Sequence, residues 1–171
     1  MANNAAFDIL YREYYVRVFG LCRRLLNSHQ AAEDAAQEVF MRAYKSFGKY
    51  KSAQPFWQWI AAIANNYCID LLRKRSRTQS LFGDEADEMD QLASDDPPIV
   101  EHLLSMENVA LVNNAIAALP EKYRIPLVLA YFNQSSYDEI AQQLGVSRNH
   151  VGVLLLRAKQ QLRTNLEAGS S

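Results

Sequence analysis

Glycine and proline are scarce in this chain, six and five residues in 171, and histidine is scarcer at three. Without a run of glycines there is no loop whose backbone N–H groups could cradle a phosphate. His29, His102 and His150 are too scattered to form a catalytic or metal-binding set. Cysteine is limited to Cys22 and Cys68, each inside an apolar helical pattern, with no Cys-x-x-Cys pair. That favours reduced, buried thiols over a disulfide or a zinc site. No apolar run reaches the roughly 18 residues needed to span a bilayer. The opening MANNAAFDILYREYY also lacks the charged, apolar, small-residue order of a signal peptide. The expectation is a cytoplasmic protein with no membrane insertion, no catalytic residues, no metal and no cofactor.

Basic residues are missing from one stretch altogether. Residues 81–110 hold nine Asp or Glu and no Lys or Arg, a balance of −9. Residues 1–80 carry twelve bases against six acids, +6, and residues 111–171 six against four, +2. The near-neutral total of −1 therefore conceals two basic segments joined by an acidic strap. Each basic segment can approach a polyanion, while the strap is repelled by one.

Period-two alternation is nowhere sustained, so the expected fold is all-α. Phe7, Leu10, Tyr11, Tyr14, Val18, Phe19, Cys22, Leu25 and Leu26 recur at helical spacing and predict a first helix ending near Asn27 and Ser28. A second is expected from about Gln30 to Phe47, apolar at Ala32, Ala36, Val39, Phe40, Ala43 and Phe47, with Glu33, Asp34, Gln37 and Glu38 on its other side. Asp34 and Glu38, like charges at i and i+4, would disfavour the helix slightly unless a basic partner faced them. After Gly48, Pro55 suits a helix start and a third helix reaches about Arg75. Periodicity is lost from Thr78 to about Pro98, then resumes from Ile99 to Leu119. A further helix, Glu121 to Phe132, contains Pro126, which conflicts with a helix interior.

The final segment holds the most specific local pattern. Ser136-x-x-Glu139 forms a capping box, Gly145 stops the helix it opens, and Ser147 can cap a last helix reaching about Leu166. Helix, glycine turn, helix is the arrangement that places a second helix in the DNA major groove. Its candidate readers are Ser147, Arg148, Asn149, His150 and Gly152, with Arg157 and Lys159 for phosphates. In the third helix Trp59 falls on the Phe56, Ile60, Ile63, Tyr67 stripe and reads as core. Trp57 falls off it and is expected exposed beside Tyr50 and Lys51, suited to stacking on an unpaired base, with Arg73, Lys74 and Arg75 for phosphates.

Four stretches in this order, QAAEDAAQEVFMRAYKSF, PFWQWIAAIANNYCIDLLRKRSR, ALPEKYRIPLVLAYF and SYDEIAQQLGVSRNHVGVLLLRAKQQLR, resemble the extracytoplasmic-function sigma factors of the sigma-70 family. The resemblance covers nearly the whole chain except the acidic segment. It implies two small helical domains: a region 2 bundle over residues 1–77 and a region 4 helix-turn-helix over 106–168, joined by a flexible acidic linker over 78–105. It also implies that Arg-x-Pro-Leu-Val-Leu is a tolerated form of the helix holding Pro126.

By position, the resemblance assigns Glu33, Asp34, Gln37, Glu38, Phe40 and Arg42 to RNA polymerase core, docking on the coiled coil of its largest subunit. Tyr50, Lys51, Gln54, Phe56, Trp57, Asn66, Arg73, Lys74 and Arg75 fall to melting and binding the minus-ten element. The terminal helix-turn-helix falls to the minus-thirty-five element, and the linker to the RNA exit path.

One departure stands out. The recognition helix runs Gly152, Val153, Leu154, Leu155, Leu156 where such proteins usually show polar and basic residues. Packing needs Val151, Leu155, Ala158 and Leu162, which leaves Val153, Leu154 and Leu156 as surplus apolar groups. The expectation is that this face binds an anti-sigma factor or a recruiting protein and that minus-thirty-five readout is weakened. Two rivals are a helix-turn-helix regulator that acts without polymerase and a sigma-like decoy that binds no DNA.

Overall fold

The computed structural model describes residues 2–75, Phe82 and residues 109–169. Among them are seven α-helices and a 3-10 turn, with no strand. The chain divides into two compact units, Met1–Arg75 and Ser76–Ser171. Most of the expected acidic linker, and the expected helical start from Ile99 to Glu107, lie outside the described residues.

In the first unit α1 (Ala2–Leu26), α2 (His29–Lys45) and α3 (Phe56–Arg75) pack pairwise against one another. The α1–α2 turn is built locally. Asn27 takes a left-handed conformation (φ 56°) and its amide reaches back to the Arg23 carbonyl, while Ser28 Oγ caps α2 by accepting the Ala31 amide at 3.2 Å. The second helix ends at Lys45, earlier than the periodicity predicts, and Phe47–Lys49 forms the 3-10 turn.

Small side chains let the three helices approach closely. Ala32, Ala35, Ala36, Val39 and Ala43 of α2 and Ala61 and Ala64 of α3 are buried with Val18, Leu21, Cys22 and Leu25 of α1. Cys22 and Cys68 are both buried as free thiols and hydrogen-bond to each other. That bond, with burial behind it, pushes the Cys68 thiol far above its usual range.

The second unit is organised around α7 (Arg148–Gly169), on which α4 (Val109–Ala117), α5 (Glu121–Tyr131) and α6 (Tyr137–Leu144) all pack. Pro126 is the sixth residue of α5, past the first turn, and it is buried. It has no N–H to offer the Lys122 carbonyl, so α5 is held by packing: every residue from Arg124 to Leu129 is buried. Arg124 sits in that core and donates from Nη1 to the Leu119 carbonyl at 3.1 Å, closing the turn before α5. Burial lowers its pKa, and Glu121, 3.9 Å away, offsets part of the effect.

From His150 to Leu155 every residue of α7 is buried, and Leu156 is half-buried. This corrects the expectation of surplus exposed apolar groups: Val153 and Leu154 are covered by the chain itself. An all-round apolar helix belongs inside a core, and here the enclosing surface includes more than α4–α6. Phe82, from the segment that precedes the helices of this unit, is also buried and lies against His150.

Candidate polymerase and nucleic-acid interfaces

The solvent side of α2 carries Glu33, Asp34, Gln37, Glu38 and Arg42, as the helical period requires. Each acid has a partner on its own helix. His29 Nε2 lies 2.9 Å from Glu33, Gln30 donates to Asp34 at 3.1 Å, and Arg42 Nε donates to Glu38 at 3.1 Å. The Arg42 guanidinium also covers the Tyr67 ring at 4.7 Å. The like-charge cost inferred for Asp34 and Glu38 is therefore relieved within the helix, and it supplies no argument for an outside basic partner.

Phe40 is not on this face. It is 3% exposed, packed edge-on against Phe7 and Tyr11, so its place in the polymerase-facing set is corrected to a core position beneath that set. Beside it opens an apolar groove of about 420 Å³ lined by Phe7, Tyr11, Gln37, Phe40, Met41, Tyr44 and Lys45. Met41 and Tyr44 are 55% and 50% exposed. They went unnoticed in the sequence, although apolar residues lying off the α2 core stripe are the signal that marks them.

At the start of α3 the aromatic groups divide between two sites, and the division reverses the sequence expectation. Trp59 is the indole beside Tyr50, with ring centroids 5.1 Å apart, and it also meets Phe56 at 5.7 Å and Phe47 at 6.4 Å. Trp57 points the other way along the helix circumference. It stacks on Tyr14 (6.5 Å, 13° between planes) under the Arg17 guanidinium at 4.1 Å, and is only partly exposed. Trp57 is thus held by α1 and is not beside Tyr50 and Lys51; the reason is tertiary, since Tyr14 and Arg17 come from a different helix.

Phe56 is buried and serves as the anchor of the Tyr50–Trp59 cluster, not as a contact residue. Tyr50 donates its hydroxyl to the Gln54 carbonyl at 2.6 Å, which fixes the loop before α3. Lys51 and Gln54 are exposed on that loop. Asn66 is exposed and lines a recess of about 350 Å³ with Arg42, Lys45, Ser46 and Ile63. Arg73, Lys74 and Arg75 occupy the exposed last turn of α3, where cations complement the helix dipole. Lys51 and Gln54 thus lie on the loop that holds Tyr50 of the aromatic cluster, while the cationic run stands at the far end of α3.

The helix-turn-helix forms as its local signals require. Ser136 Oγ accepts the Glu139 amide at 3.1 Å while the Glu139 carboxylate accepts the Ser136 amide at 3.2 Å. Gly145 adopts φ 69°, ψ 34° at the other end of α6, and Ser147 Oγ accepts the His150 amide at 3.0 Å to start α7.

Of the seven candidate readers, Ser147 and Arg148 are exposed, and Asn149, Arg157 and Lys159 are half-exposed. Arg148 is steered by Asp138 at 3.3 Å and by the Tyr137 ring at 5.5 Å. His150 and Gly152 are buried, a correction to their expected place at base edges. The His150 Nε2 lies 3.1 Å from the Phe82 carbonyl oxygen, as its donor. Among the described residues no group of His, Cys, Asp or Glu could hold a metal ion, and no helix is long and apolar enough to cross a membrane.

Comparison with known proteins gives the family. Residues 10–78 match Sigma-70 region 2 and residues 110–162 match Sigma-70 region 4. The chain is 30% identical over 166 residues to the ECF RNA polymerase sigma factor SigW of Bacillus subtilis, covering 94% of this chain and 89% of that protein. It is also 30% identical over 167 residues to the RNA polymerase sigma-H factor of Pseudomonas aeruginosa, covering 95% and 86%. Among solved structures, the fold is shared with the sigma factor RpoE of Bartonella quintana, determined in complex with the anti-sigma factor NepR. The TM-score there is 0.61 at 18% identity, over 95% of this chain and 97% of that one. The chain belongs to the extracytoplasmic-function sigma factors of the sigma-70 family, proteins that direct transcription initiation.

Proposed function

We propose that this sigma factor binds core RNA polymerase through the polar face of α2, Glu33, Asp34, Gln37, Glu38 and Arg42, with the adjoining Met41–Tyr44 groove. Strand opening at the minus-ten element falls to the Tyr50–Trp59 cluster with Lys51, Gln54, Asn66 and the Arg73–Arg75 run. Duplex reading falls to Ser147, Arg148 and Asn149, with Arg157 and Lys159 on phosphates. In this reading residues 1–77 and 106–168 are the working domains and residues 78–105 the acidic connection. The protein acts in the cytoplasm and contributes binding energy, while polymerase contributes the chemistry. Melting is favoured because base stacking in the duplex is exchanged for stacking on aromatic side chains, on the order of 1–3 kcal/mol per base.

The observation that supports this most is the pairing, in one chain, of an acidic helix face and an aromatic cluster with a doubly capped helix-turn-helix. An anti-sigma factor is a further proposed partner, on the ground of the complex formed by the Bartonella protein. An exposed apolar recognition face is no longer a reason for it, because Val153 and Leu154 are covered. The same burial removes the feature that favoured a DNA-free decoy.

Mixing the purified chain with bacterial core polymerase at low salt and separating by size tests the reading. Co-migration is expected, and it should weaken when Asp34 and Glu38 are both replaced by lysine. Independent migration of the wild-type chain would overturn it.

A further inference from the structure

The first two turns of α7 contain the part of a helix-turn-helix that enters the groove, yet in this chain they are buried from His150 onward. His150, Gly152, Val153 and Leu154 are buried, and His150, Val153 and Leu154 stand at i, i+3 and i+4 on one stripe. That stripe is not the one that packs the unit together, which is Val151, Leu155, Ala158 and Leu162, all buried. One contact of this second stripe is with Phe82, through His150. The Phe82 side chain is among the largest fully buried ones, at 2% exposure, and its carbonyl oxygen accepts the His150 ring nitrogen at 3.1 Å. His150 itself is 5% exposed, so the bond is shielded from water and its loss would leave two buried polar groups unsatisfied.

Phe82 belongs to the acidic stretch, and Gly83, Asp84 and Glu85 follow it in sequence. Duplex DNA and this stretch carry charge of the same sign and repel each other.

We propose that Phe82 is an intramolecular latch. In the free chain it occupies the groove-entering face of α7 and competes with duplex DNA for that face. Close approach of duplex to this face then requires Phe82 to leave, and apparent affinity for duplex is reduced by the fraction of molecules in which the latch is closed. The inference rests on α7 being the duplex reader.

The test uses the full chain and a fluorescein-labelled 30-base-pair duplex pool of random sequence, followed by anisotropy at fixed low salt. Phe82→Ala is expected to bind at least about tenfold more tightly than wild type, equivalent to about 1.4 kcal/mol. Phe82→Leu, a smaller loss of volume, should shift affinity the same way by a smaller factor. Adding Arg148→Ala to Phe82→Ala should remove the gain. A peptide covering residues 76–90 should restore weak binding to the Phe82→Ala chain, and the same peptide with alanine for Phe82 should not.

A folded Phe82→Ala chain that binds no more tightly than wild type overturns the latch. So does a Phe82→Ala chain that loses its helical circular dichroism, since Phe82 would then be ordinary core. If Phe82→Ala changes nothing but Arg148→Ala weakens binding, the latch alone fails. If Arg148→Ala changes nothing in either background, α7 fails as the reader and the latch falls with it.

Discussion

The two ends of α6 set the angle at which α7 is presented, and removing both caps tests how far that geometry depends on them. Eight residues make a helix about 12 Å long, too short to persist without its ends and its packing. At the N-terminus, Ser136→Ala deletes the acceptor of the Glu139 amide, now bonded at 3.1 Å, at a cost of about 1 kcal/mol. At the C-terminus, Gly145→Ala forces a Cβ into the left-handed conformation (φ 69°, ψ 34°) and costs about 1 kcal/mol more. The sites stand a helix length apart, so the costs add to about 2 kcal/mol, roughly a thirtyfold change in a local opening equilibrium.

Amide hydrogen exchange by mass spectrometry, on peptides spanning residues 137–156, reads that equilibrium directly. Each single substitution should speed exchange about fivefold and the pair about thirtyfold, with peptides from α1–α3 unchanged. A double variant that exchanges within threefold of wild type would refute the idea that these caps hold the unit.

Other perturbations follow from the same contacts. Arg124→Ala leaves the buried Leu119 carbonyl without its guanidinium donor, and should lower urea stability by about 2 kcal/mol, well beyond a surface change. Asp34→Lys with Glu38→Lys should leave the urea midpoint nearly unchanged, because both groups are exposed or half-exposed, yet weaken core-polymerase binding by on the order of tenfold. Iodoacetamide should not label Cys22 or Cys68 in the native chain and should label both in urea.

The pH dependence of the first unit follows from Cys68, whose folded pKa is raised. The stability this contributes is complete below the unfolded thiol value of about 8.5 and is lost as pH rises above it, by up to about 1.4 kcal/mol per pH unit. Urea midpoints at pH 7, 9 and 10 should show this fall in wild type and a shallower one in Cys68→Ala.

What was legible in the sequence was mostly what is decided locally. The capping box at Ser136, the glycine stop at Gly145 and the serine start at Ser147 involve groups within a few residues of each other, and all three appear as expected. The all-α class followed from periodicity alone. The partners of Glu33, Asp34 and Glu38 were also within reach, since His29, Gln30 and Arg42 stand four residues away on the same helix.

The failures are tertiary. Which tryptophan faces Tyr50 depends on Tyr14 and Arg17 drawing Trp57 toward α1. The contact between Cys22 and Cys68 depends on α1 meeting α3. Above all, the partner of the buried His150 ring in α7 is Phe82, which comes from a stretch whose composition marks it as a linker. Periodicity assigns a residue to a face but does not say which distant segment lies on that face.

The central claim is that this chain gives polymerase its choice of promoter and its means of opening it. Transcription reconstituted from bacterial core enzyme, the purified chain and a fragment library of bacterial genomic DNA tests that most directly. Transcripts with a few defined start sites, absent without the chain and lost on Trp59→Ala or Asp34→Lys with Glu38→Lys, are the predicted result. Initiation no different from that of core enzyme alone would contradict the account.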